Sequence, residues 1–378
     1  MDTLIKNAVI CDTESMTLRK GETAFCNGII VDSRDSNAEC VIDAEGAFVI
    51  PGFVDIHTHG RAGYDFCSSD EEGMRIAAKS YLATGTTTVM PTLASAPYDG
   101  LLTAADRINS VRADTGGARF AGIHLEGRYL NPDFCGAHRK ELLAPFNIGE
   151  LEELVFRMCL PCHITAALEL DGGKEFAKKA KTLGATLGLG HTGATFEEAF
   201  DIYKKYGVSF THLFNAMPQI HHRSGGAAVA GLESGAFCEL ICDGMHISDE
   251  MVKLAYTCLS PERLVLITDS MEAAGCPDGD YMIAGSPCKV KEGKALTAEG
   301  KLAGSTLDLK TAVENLMSFC GIGLAEAVRC ATLNPAREIG IDNTVGSLSP
   351  GKFADALIVR ENGGKLTVEK IFIGGRLV

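Results

Sequence analysis

The sequence PGFVDIHTHG, residues 51–60, contains a short apolar run that ends in two histidines. Its first half, FVDI (53–56), is typical of a buried β-strand. Successive side chains of a strand point to opposite faces, so His57 and His59 lie on the same face at the strand end. Neutral imidazoles placed in this way can bind one metal ion together. We therefore predict that both histidines are metal ligands.

The chain after this strand alternates between apolar runs and amphipathic stretches that begin with Ser, Thr or Asp and end with Gly, as helices do. Eight βα units over about 290 residues predict a (β/α)8 TIM-like barrel, a fold of about 250 residues. The candidate strands are FVDIH (53–57), TTTVMPT (86–92), RFAGIHLE (119–126), CHITAALE (162–169), ATLGLGH (185–191), GVSFTH (207–212), FCELICD (237–243) and RLVLITD (263–269).

Both ends of the chain are rich in short strand-like runs, such as TLIKNAVI (3–10) and DALIVR (355–360). We expect them to pair into one small β-sandwich domain that flanks the barrel. The predicted division is residues 1–51 and 343–378 for the small β domain and 52–342 for the barrel.

The composition of the 378-residue chain, with 46% hydrophobic and 22% charged residues, is that of a soluble globular enzyme. A net charge of −14 and the lack of a Lys/Arg-rich block argue against a nucleic-acid partner. A small phosphorylated substrate stays compatible, because a few cations inside a pocket can outweigh the overall charge.

The compartment is indicated by the N-terminus and the cysteines. MDTLIKNAVICD has no signal-peptide pattern, and no apolar run is long enough to span a bilayer, so we expect no membrane partner. The fourteen cysteines are scattered rather than spaced as a disulfide framework. This favours the reducing cytoplasm.

Polar residues able to bind metals occur at the ends of seven of the eight candidate strands. In a (β/α)8 barrel these ends form the active site. Any one of these residues taken alone is explained as a loop or cap residue, but the set together indicates a metal centre for Zn²⁺ or Fe²⁺, with one or two ions. The residues are His57, His59, His124, Glu126, Glu169, His191, His212, Asp243, His246 and Asp269.

The roles within this set differ. Asp269 ends the last strand and suits a general acid/base beside a metal-activated water. His124 and Glu126 either orient the ligands or are satisfied within the core. His163 begins the fourth strand at the other end of the barrel, where we expect a structural role. His221 and His222 either contact substrate or lie in a solvated loop.

Several motifs resemble those of one enzyme family. GFVDIHTHG and GSLSPGKFADALIV resemble segments of the amidohydrolase superfamily. HLEGRYLNP, GHTGAT, THLFNAM, CDGMHI, ITDSMEAAG and LAGSTLDL are together similar, in the right order, to the N-acetylglucosamine-6-phosphate deacetylase family. The resemblance extends over the whole chain and implies hydrolysis of the substrate acetamide to acetate and an amino sugar phosphate by a metal-activated water.

The resemblance also implies roles for particular residues. Glu169, His191 and His212 match the main metal ligands, and His57 and His59 match a second metal position, with Glu169 bridging the two.

On the substrate side, Asp269 matches the catalytic acid/base and His138 a contact to the acetamido carbonyl. A phosphate site is implied for Asn215, Ala216, Arg223 and His246, the last from either subunit of a dimer. A homodimer is expected from the resemblance alone.

Two departures from the family pattern are found near the site. Arg128 and Leu168 both stand where the family has proline. Arg128 adds a cation near the expected pocket, so it either strengthens phosphate binding or indicates a different sugar.

Alternatives to the leading function therefore remain. They are an amidohydrolase for another N-acetylated amino sugar phosphate, such as N-acetylgalactosamine-6-phosphate, one for another amide, and an inactive metal-binding scaffold or sensor.

Overall fold

The structure, a computed structural model, describes residues 2–33 and 38–378. The chain begins with five strands outside the barrel. They are β1 (Thr3–Asp12), β2 (Thr17–Cys26), β3 (Ile29–Val31), β4 (Cys40–Asp43) and β5 (Phe48–Pro51).

Eight parallel strands follow and form the barrel, each paired with the next in chain order. They are β6 (Phe53–Thr58), β9 (Thr86–Leu93), β11 (Ile123–Glu126), β12 (Cys162–Ala166), β13 (Thr186–Leu189), β14 (Ser209–Phe210), β15 (Cys238–Ile241) and β16 (Leu264–Ile267). All eight predicted strands are present, and the predicted (β/α)8 barrel is confirmed.

Three shorter strands lie among them: β7 (Gly60–Arg61), β8 (Tyr64–Asp65) and β10 (Arg119–Phe120). The barrel closes where β6 and β16 end. The Asp269 amide donates to the His57 carbonyl oxygen at 2.9 Å, and the His59 amide donates to the Ser270 carbonyl oxygen at 2.8 Å. The first and last strand ends are thereby held side by side.

Helices surround this barrel and pack their apolar faces onto it. Local capping sets several helix ends: the Thr195 hydroxyl and the Glu198 carboxylate form a reciprocal capping box at the start of α5. The helices are α1 (Glu71–Ala83), α2 (Tyr98–Arg112), α3 (Ile148–Met158), α4 (Gly173–Thr182), α5 (Phe196–Tyr206), α6 (Gly226–Glu233), α7 (Asp249–Arg263, with a kink at Ser260), α8 (Leu309–Cys320), α9 (Leu324–Cys330) and α10 (Leu333–Glu338), with a short 3₁₀-helix at Lys140–Leu142.

A three-stranded antiparallel sheet follows the barrel's last strand and extends over the pocket. It consists of β17 (Gly279–Ile283), β18 (Ser286–Lys291) and β19 (Lys294–Thr297). Ile283 and Ala284, at the turn between the first two strands, reach the pocket described below.

The chain ends with β20 (Ala356–Asn362), β21 (Lys365–Ile373) and β22 (Arg376–Leu377), which join the N-terminal strands through β5. The long β1 pairs first with β4 and then, beyond an irregularity after Ile5, with β5. The strands enclose a separate apolar core that includes Ile5, Phe25 and Phe372. The predicted β-sandwich built from both termini is confirmed, while the division at 51/52 and 342/343 stays a prediction. Among the described residues, none of the helices combines the length and apolar character needed to cross a membrane.

Candidate metal centre and active-site pocket

A cavity of about 140 Å³ opens at the carboxyl ends of the barrel strands. This is the end at which (β/α)8 enzymes build their active sites. Most of the predicted site residues meet there: His59, His138, His191, His212, Asn215, Ala216, His246 and Asp269, together with Glu126.

Glu126, His191 and His212 form the first group of metal-binding side chains. Glu126 Oε1 lies 3.1 Å from His191 Nε2 and 2.9 Å from His212 Nε2. The two Nε2 atoms are 3.1 Å apart. Ligand atoms of a tetrahedral zinc site, at about 2.0–2.1 Å from the metal, have a similar mutual spacing.

His57, His59 and Asp269 form a second group beside the first. Asp269 Oδ1 lies 3.3 Å from His59 Nε2 and 3.7 Å from His57 Nε2. Glu126 connects the two groups, because its Oε2 lies 2.9 Å from His59 Nε2 and its Oε1 3.4 Å from His57 Nε2. One carboxylate therefore faces both groups of ligands.

The outer hydrogen bonds of two of the histidines turn their Nε2 atoms toward the centre. His191 donates from Nδ1 to the Phe134 carbonyl oxygen at 2.9 Å, and His57 donates from Nδ1 to Glu239 Oε2 at 2.9 Å. Nε2 of His57 is buried without a hydrogen-bond partner. Burial opposes protonation of His57, but Glu126 and Glu239 raise its pKa well above the usual range, so a metal ion would bind at Nε2 in place of a proton. Such outer partners are typical of metal-binding histidines, and the side chains fit a divalent metal.

Both carboxylates of the centre are held in the ionised form. Burial alone would raise the pKa of Glu126, but the surrounding imidazoles, led by His57, hold that pKa well below the usual range of a glutamate. Burial likewise opposes ionisation of Asp269, yet the hydrogen bond from His59 and the charge of His57 lower its pKa to about 2. Anionic oxygen atoms are therefore present at neutral pH, as cation binding requires.

Three residues of the centre have left-handed backbone conformations. The φ angles are 47° at His191, 30° at His212 and 48° at Asp269. Such conformations cost about 1–3 kcal/mol each for residues other than glycine, and they concentrate at functional sites. The fold therefore maintains strained backbone at three strand ends, which directs these side chains to one point.

Glu169 is not part of either group, contrary to the sequence-based prediction of a bridging ligand. Strand β12 ends at Ala166, so Glu169 lies in the turn beyond it. Its carboxylate accepts hydrogen bonds from Asn131 Nδ2 at 3.1 Å, Thr192 Oγ1 at 2.6 Å and the Gly193 amide at 2.7 Å. Both oxygens of the Glu169 carboxylate therefore accept hydrogen bonds. These bonds hold the turn after β13 in place and do not contribute to the metal centre.

Glu126 takes the bridging position that sequence reasoning assigned to Glu169. It is the last residue of β11, it is 2% exposed, and His124 two residues earlier points into the barrel on the same face. A signal for this was present in the sequence, because His-x-Glu at the end of the third strand repeats the spacing of His57 and His59. His124 itself contacts Thr92 and Thr165 and lies outside both groups.

His138 reaches the pocket as a hydrogen-bond donor. The Ser95 backbone amide donates to His138 Nδ1 at 3.3 Å, so in the neutral ring the proton is on Nε2. That nitrogen lies 3.5 Å from Glu126 Oε2, at the edge of the metal centre. An N–H group aimed here can polarise a carbonyl oxygen held over the metal.

The two arginines expected near the substrate do not line the cavity. Arg223 is exposed and contacts His222 Nε2 at 2.7 Å; both histidines of this loop, His221 and His222, are exposed as well. Arg128 Nη2 pairs with both oxygens of Glu150, at 3.2 and 3.1 Å, and its guanidinium stacks on a tyrosine ring. Arg128 is thus paired with Glu150 through Nη2.

The comparisons with known proteins agree with this arrangement. The profile of the Amidohydrolase family matches residues 48–378. The chain is 35% identical over 341 residues to an N-acetylgalactosamine-6-phosphate deacetylase of Escherichia coli O157:H7, covering 89% of each. It is 30% identical over 333 residues to an N-acetylglucosamine-6-phosphate deacetylase of Vibrio furnissii, covering 87% of this chain and 82% of that protein.

A solved structure is also similar over the whole chain. It is a variant of N-acetyl-D-glucosamine-6-phosphate deacetylase from Mycobacterium smegmatis, in complex with N-acetyl-D-glucosamine-6-phosphate. The TM-score is 0.89 at 28% identity, covering 100% of this chain and 98% of that one. The barrel and its strand-end ligands define the class, a metal-dependent hydrolase. The family match then identifies it further: the chain belongs to the Amidohydrolase family.

Proposed function

We propose that this enzyme hydrolyses the acetamide of N-acetylglucosamine-6-phosphate to glucosamine-6-phosphate and acetate. The observation that carries the proposal is the convergence of a two-part metal centre, the His138 donor and Asp269 on one cavity. The family match and the deacetylase relatives support the same substrate class.

The chain's own residues supply the remaining chemistry. Glu126, His191 and His212 would hold a divalent ion, which would polarise the acetamide carbonyl and make water more acidic. His138 donates from Nε2 to the carbonyl oxygen and so stabilises the charge that develops there. Asp269 accepts the proton of the attacking water and delivers it to the departing sugar nitrogen as the C–N bond breaks.

The metal is Zn²⁺ or Fe²⁺ in this proposal, because imidazole and carboxylate ligands suit both. One ion at Glu126, His191 and His212 is the minimum. A second ion would be bound by His57 and His59, with Glu126 shared between the two. Glu126 thus takes the place of Glu169 as the carboxylate ligand. The four predicted histidine ligands are unchanged: His57, His59, His191 and His212.

The phosphate site is proposed for Asn215, the Ala216 backbone and His246, which line the same cavity as the metal centre. His246 is oriented by Asp243, whose Oδ2 lies 2.7 Å from His246 Nδ1. Arg223, on its exposed loop, would reach a phosphate only after loop movement or from a neighbouring subunit. We therefore also propose that the protein forms a homodimer.

A cytoplasmic location is also proposed. It is supported by the fourteen cysteines, all of which are free thiols in the described chain. Free thiols are the usual state of cysteines in the reducing cytoplasm.

A second candidate substrate is the galacto epimer, N-acetylgalactosamine-6-phosphate. It is favoured by one observation, the 35% identity to the Escherichia coli O157:H7 deacetylase for that sugar, against 30% for the glucosamine relative of Vibrio furnissii. The acetamide chemistry would be the same for both epimers, so only the contacts to one hydroxyl would differ.

The test is acetate release from both 6-phosphorylated epimers and from unphosphorylated N-acetylglucosamine, after metal removal and reconstitution with Zn²⁺ or Fe²⁺. Preference for the phosphorylated gluco sugar would support the proposal, and preference for the galacto epimer would replace it by the second candidate. No turnover of any of the three by protein with verified bound metal would refute both.

A further inference from the structure

A third group of side chains that could bind a metal lies inside the barrel and outside the lining of the active-site pocket. It consists of His163 on β12, Glu239 on β15 and Glu338 at the end of α10, and we refer to it as the lower cluster. One nitrogen or oxygen of each residue lies within 4.8 Å of the others. His163 and Glu239 are the second residues of their strands, which places the lower cluster on the amino-terminal side of the catalytic centre. Glu239 also contacts that centre, through His57 Nδ1 at 2.9 Å and the His212 amide at 3.2 Å.

The hydrogen bonds around His163 fix which of its nitrogens faces this cluster. The Thr186 hydroxyl donates to the Cys162 carbonyl oxygen at 3.3 Å, so its oxygen accepts from His163 Nδ1 at 2.9 Å. In the neutral ring the proton is therefore on Nδ1, and Nε2 presents a lone pair. Nε2 is buried and has no hydrogen-bond partner.

Three oxygen atoms of Glu239 and Glu338 are also buried without a hydrogen-bond partner. Glu239 uses Oε2 to accept from His57 Nδ1, but its Oε1 is buried and unpartnered. Both oxygens of Glu338 are unpartnered too. The neighbouring Ser209 hydroxyl lies 3.4 Å from the Leu187 carbonyl oxygen, to which it donates.

Burial raises the pKa of Glu338 well above the usual range of a glutamate, so its carboxyl keeps a proton unless a cation takes the place of that proton. His163 and Glu239 are 0% exposed, and Glu338 is 9% exposed. In the described part of the chain, no Lys or Arg forms an ion pair with either carboxylate. Buried charges are normally paired or bound to a metal, because their desolvation is otherwise uncompensated.

A cavity leads from the surface to Glu338 of the lower cluster. This cavity of about 210 Å³ has a lining that extends from the exposed Lys181 past Thr186 and Ser209 to Glu338. Its polar lining can hold water, which a metal ion with three protein ligands needs at its remaining position.

We propose that His163, Glu239 and Glu338 bind a divalent metal ion of the Zn²⁺ class, separate from the catalytic centre. One imidazole and two carboxylates are a suitable ligand set for such an ion. Ligand atoms about 2.0–2.2 Å from Zn²⁺ lie closer together than 4.8 Å, so binding draws the three side chains inward. Because Glu239 also holds His57, the ion at the lower cluster supports the orientation of a catalytic ligand.

The first test is diffraction from crystals of the wild-type protein saturated with Zn²⁺, recorded above and below the zinc absorption edge. We expect an anomalous-difference peak about 2.0–2.1 Å from His163 Nε2, in addition to the catalytic peak. A catalytic peak without a peak at His163 would overturn the proposal, whatever substrate the enzyme uses.

The second test counts metal in solution by mass spectrometry after Zn²⁺ loading and desalting. Glu338→Gln keeps the side-chain shape and should lose one equivalent relative to wild type, whereas Ser209→Ala lines the same cavity and should lose none. Equal metal content in wild type and Glu338→Gln would contradict the proposal. If Glu338→Gln fails to fold, the wild-type diffraction experiment still decides.

Discussion

Glu126 Oε2 lies 2.9 Å from His59 Nε2, although the two residues end different barrel strands. The other oxygen of the same carboxylate faces His191 and His212, so Glu126 belongs to both halves of the metal centre. We therefore expect metal binding to depend more on Glu126 than on any other single residue.

Substitution of each glutamate tests whether Glu126 or Glu169 binds the metal. We expect Glu126→Gln to lose bound metal and to reduce deacetylase activity by more than the about 10- to 100-fold typical of residues that only orient a ligand. Glu169→Gln should retain the metal, because Glu169 bonds only to Asn131, Thr192 and Gly193. Metal content and kcat of both variants check this. Loss of metal from Glu169→Gln alone would restore the sequence-based assignment.

Asp269 is expected to act in proton transfer rather than mainly in folding. Asp269→Asn should lower kcat by about 10²- to 10⁴-fold, the usual range for loss of a general acid/base. Bound metal at Glu126, His191 and His212 should stay. The matched control is Glu272→Gln, since Glu272 accepts from the Met282 amide at 2.6 Å and lies outside the pocket lining. Full activity of Asp269→Asn would exclude this role.

The His138 donor makes a separate contribution to the rate. His138→Phe should reduce kcat by about 10²- to 10³-fold, as measured for the loss of one donor to a developing oxyanion. Ser95→Ala should have a smaller effect, because the Ser95 backbone amide still donates to Nδ1. Steady-state kinetics of the two variants measure both losses of kcat. Equal losses would show that the ring of His138 is oriented by the Ser95 hydroxyl, which lies 3.0 Å from Nδ1.

The two arginines near the site should behave differently toward a phosphorylated substrate. Arg128→Met should leave KM close to the wild-type value, because Glu150 already pairs with this guanidinium. Arg223→Ala should raise KM by about 10- to 100-fold if Arg223 binds phosphate, the equivalent of about 1.5–3 kcal/mol for a charge-assisted hydrogen bond. The measurement compares KM with and without the substrate phosphate. A larger effect from Arg128→Met would reverse the assignment.

Glu314 joins helix α8 of the barrel to the terminal sheet. It is 4% exposed and accepts from Lys310 Nζ at 2.8 Å, the Leu366 amide at 2.8 Å and Lys365 Nζ at 3.0 Å. Glu314→Gln should lower the free energy of unfolding by about 1–3 kcal/mol at pH 7. Glu45→Gln is the control, since the Glu45–Arg360 pair is exposed and separated by 3.7 Å.

The effect of Glu314 should also depend on pH. Burial opposes its ionisation, but the hydrogen bonds from Lys310, Leu366 and Lys365 lower its pKa below the ordinary 4.5. A lowered folded-state pKa stabilises the protein above the ordinary value, and this contribution is lost as the pH falls through the folded-state pKa. The stability difference between wild type and Glu314→Gln, measured by urea unfolding, should therefore shrink below about pH 4.5. A constant difference down to pH 3 would contradict this account.

The barrel could be predicted because its signals are local. Each strand and helix carries its own apolar periodicity, and parallel strands bring their carboxyl ends to one rim. For the same reason His57 and His59 could be placed on one face from their spacing alone. His191, His212 and Asp269 could be placed at the same rim, because each lies shortly after a buried strand.

The choice between Glu126 and Glu169 depended on strand register, which local patterns do not contain. Glu126 pairs with Thr165 of β12, so it stands at the level of the strand ends, whereas Glu169 lies four positions past Thr165 in a turn. Likewise, Arg128 was expected near the substrate from its position after the motif. Its partner Glu150 belongs to α3, and only packing brings them together.

The sequence by itself thus determined the fold class and the types of ligand, because alternating hydrophobicity and strand-end chemistry are short-range properties. Tertiary structure alone decided which carboxylate bridges the centre, which backbone positions are left-handed, and that His163, Glu239 and Glu338 meet. Each of these depends on how elements distant in the chain are aligned in space, and the free energy of that alignment is spread over the whole packed core.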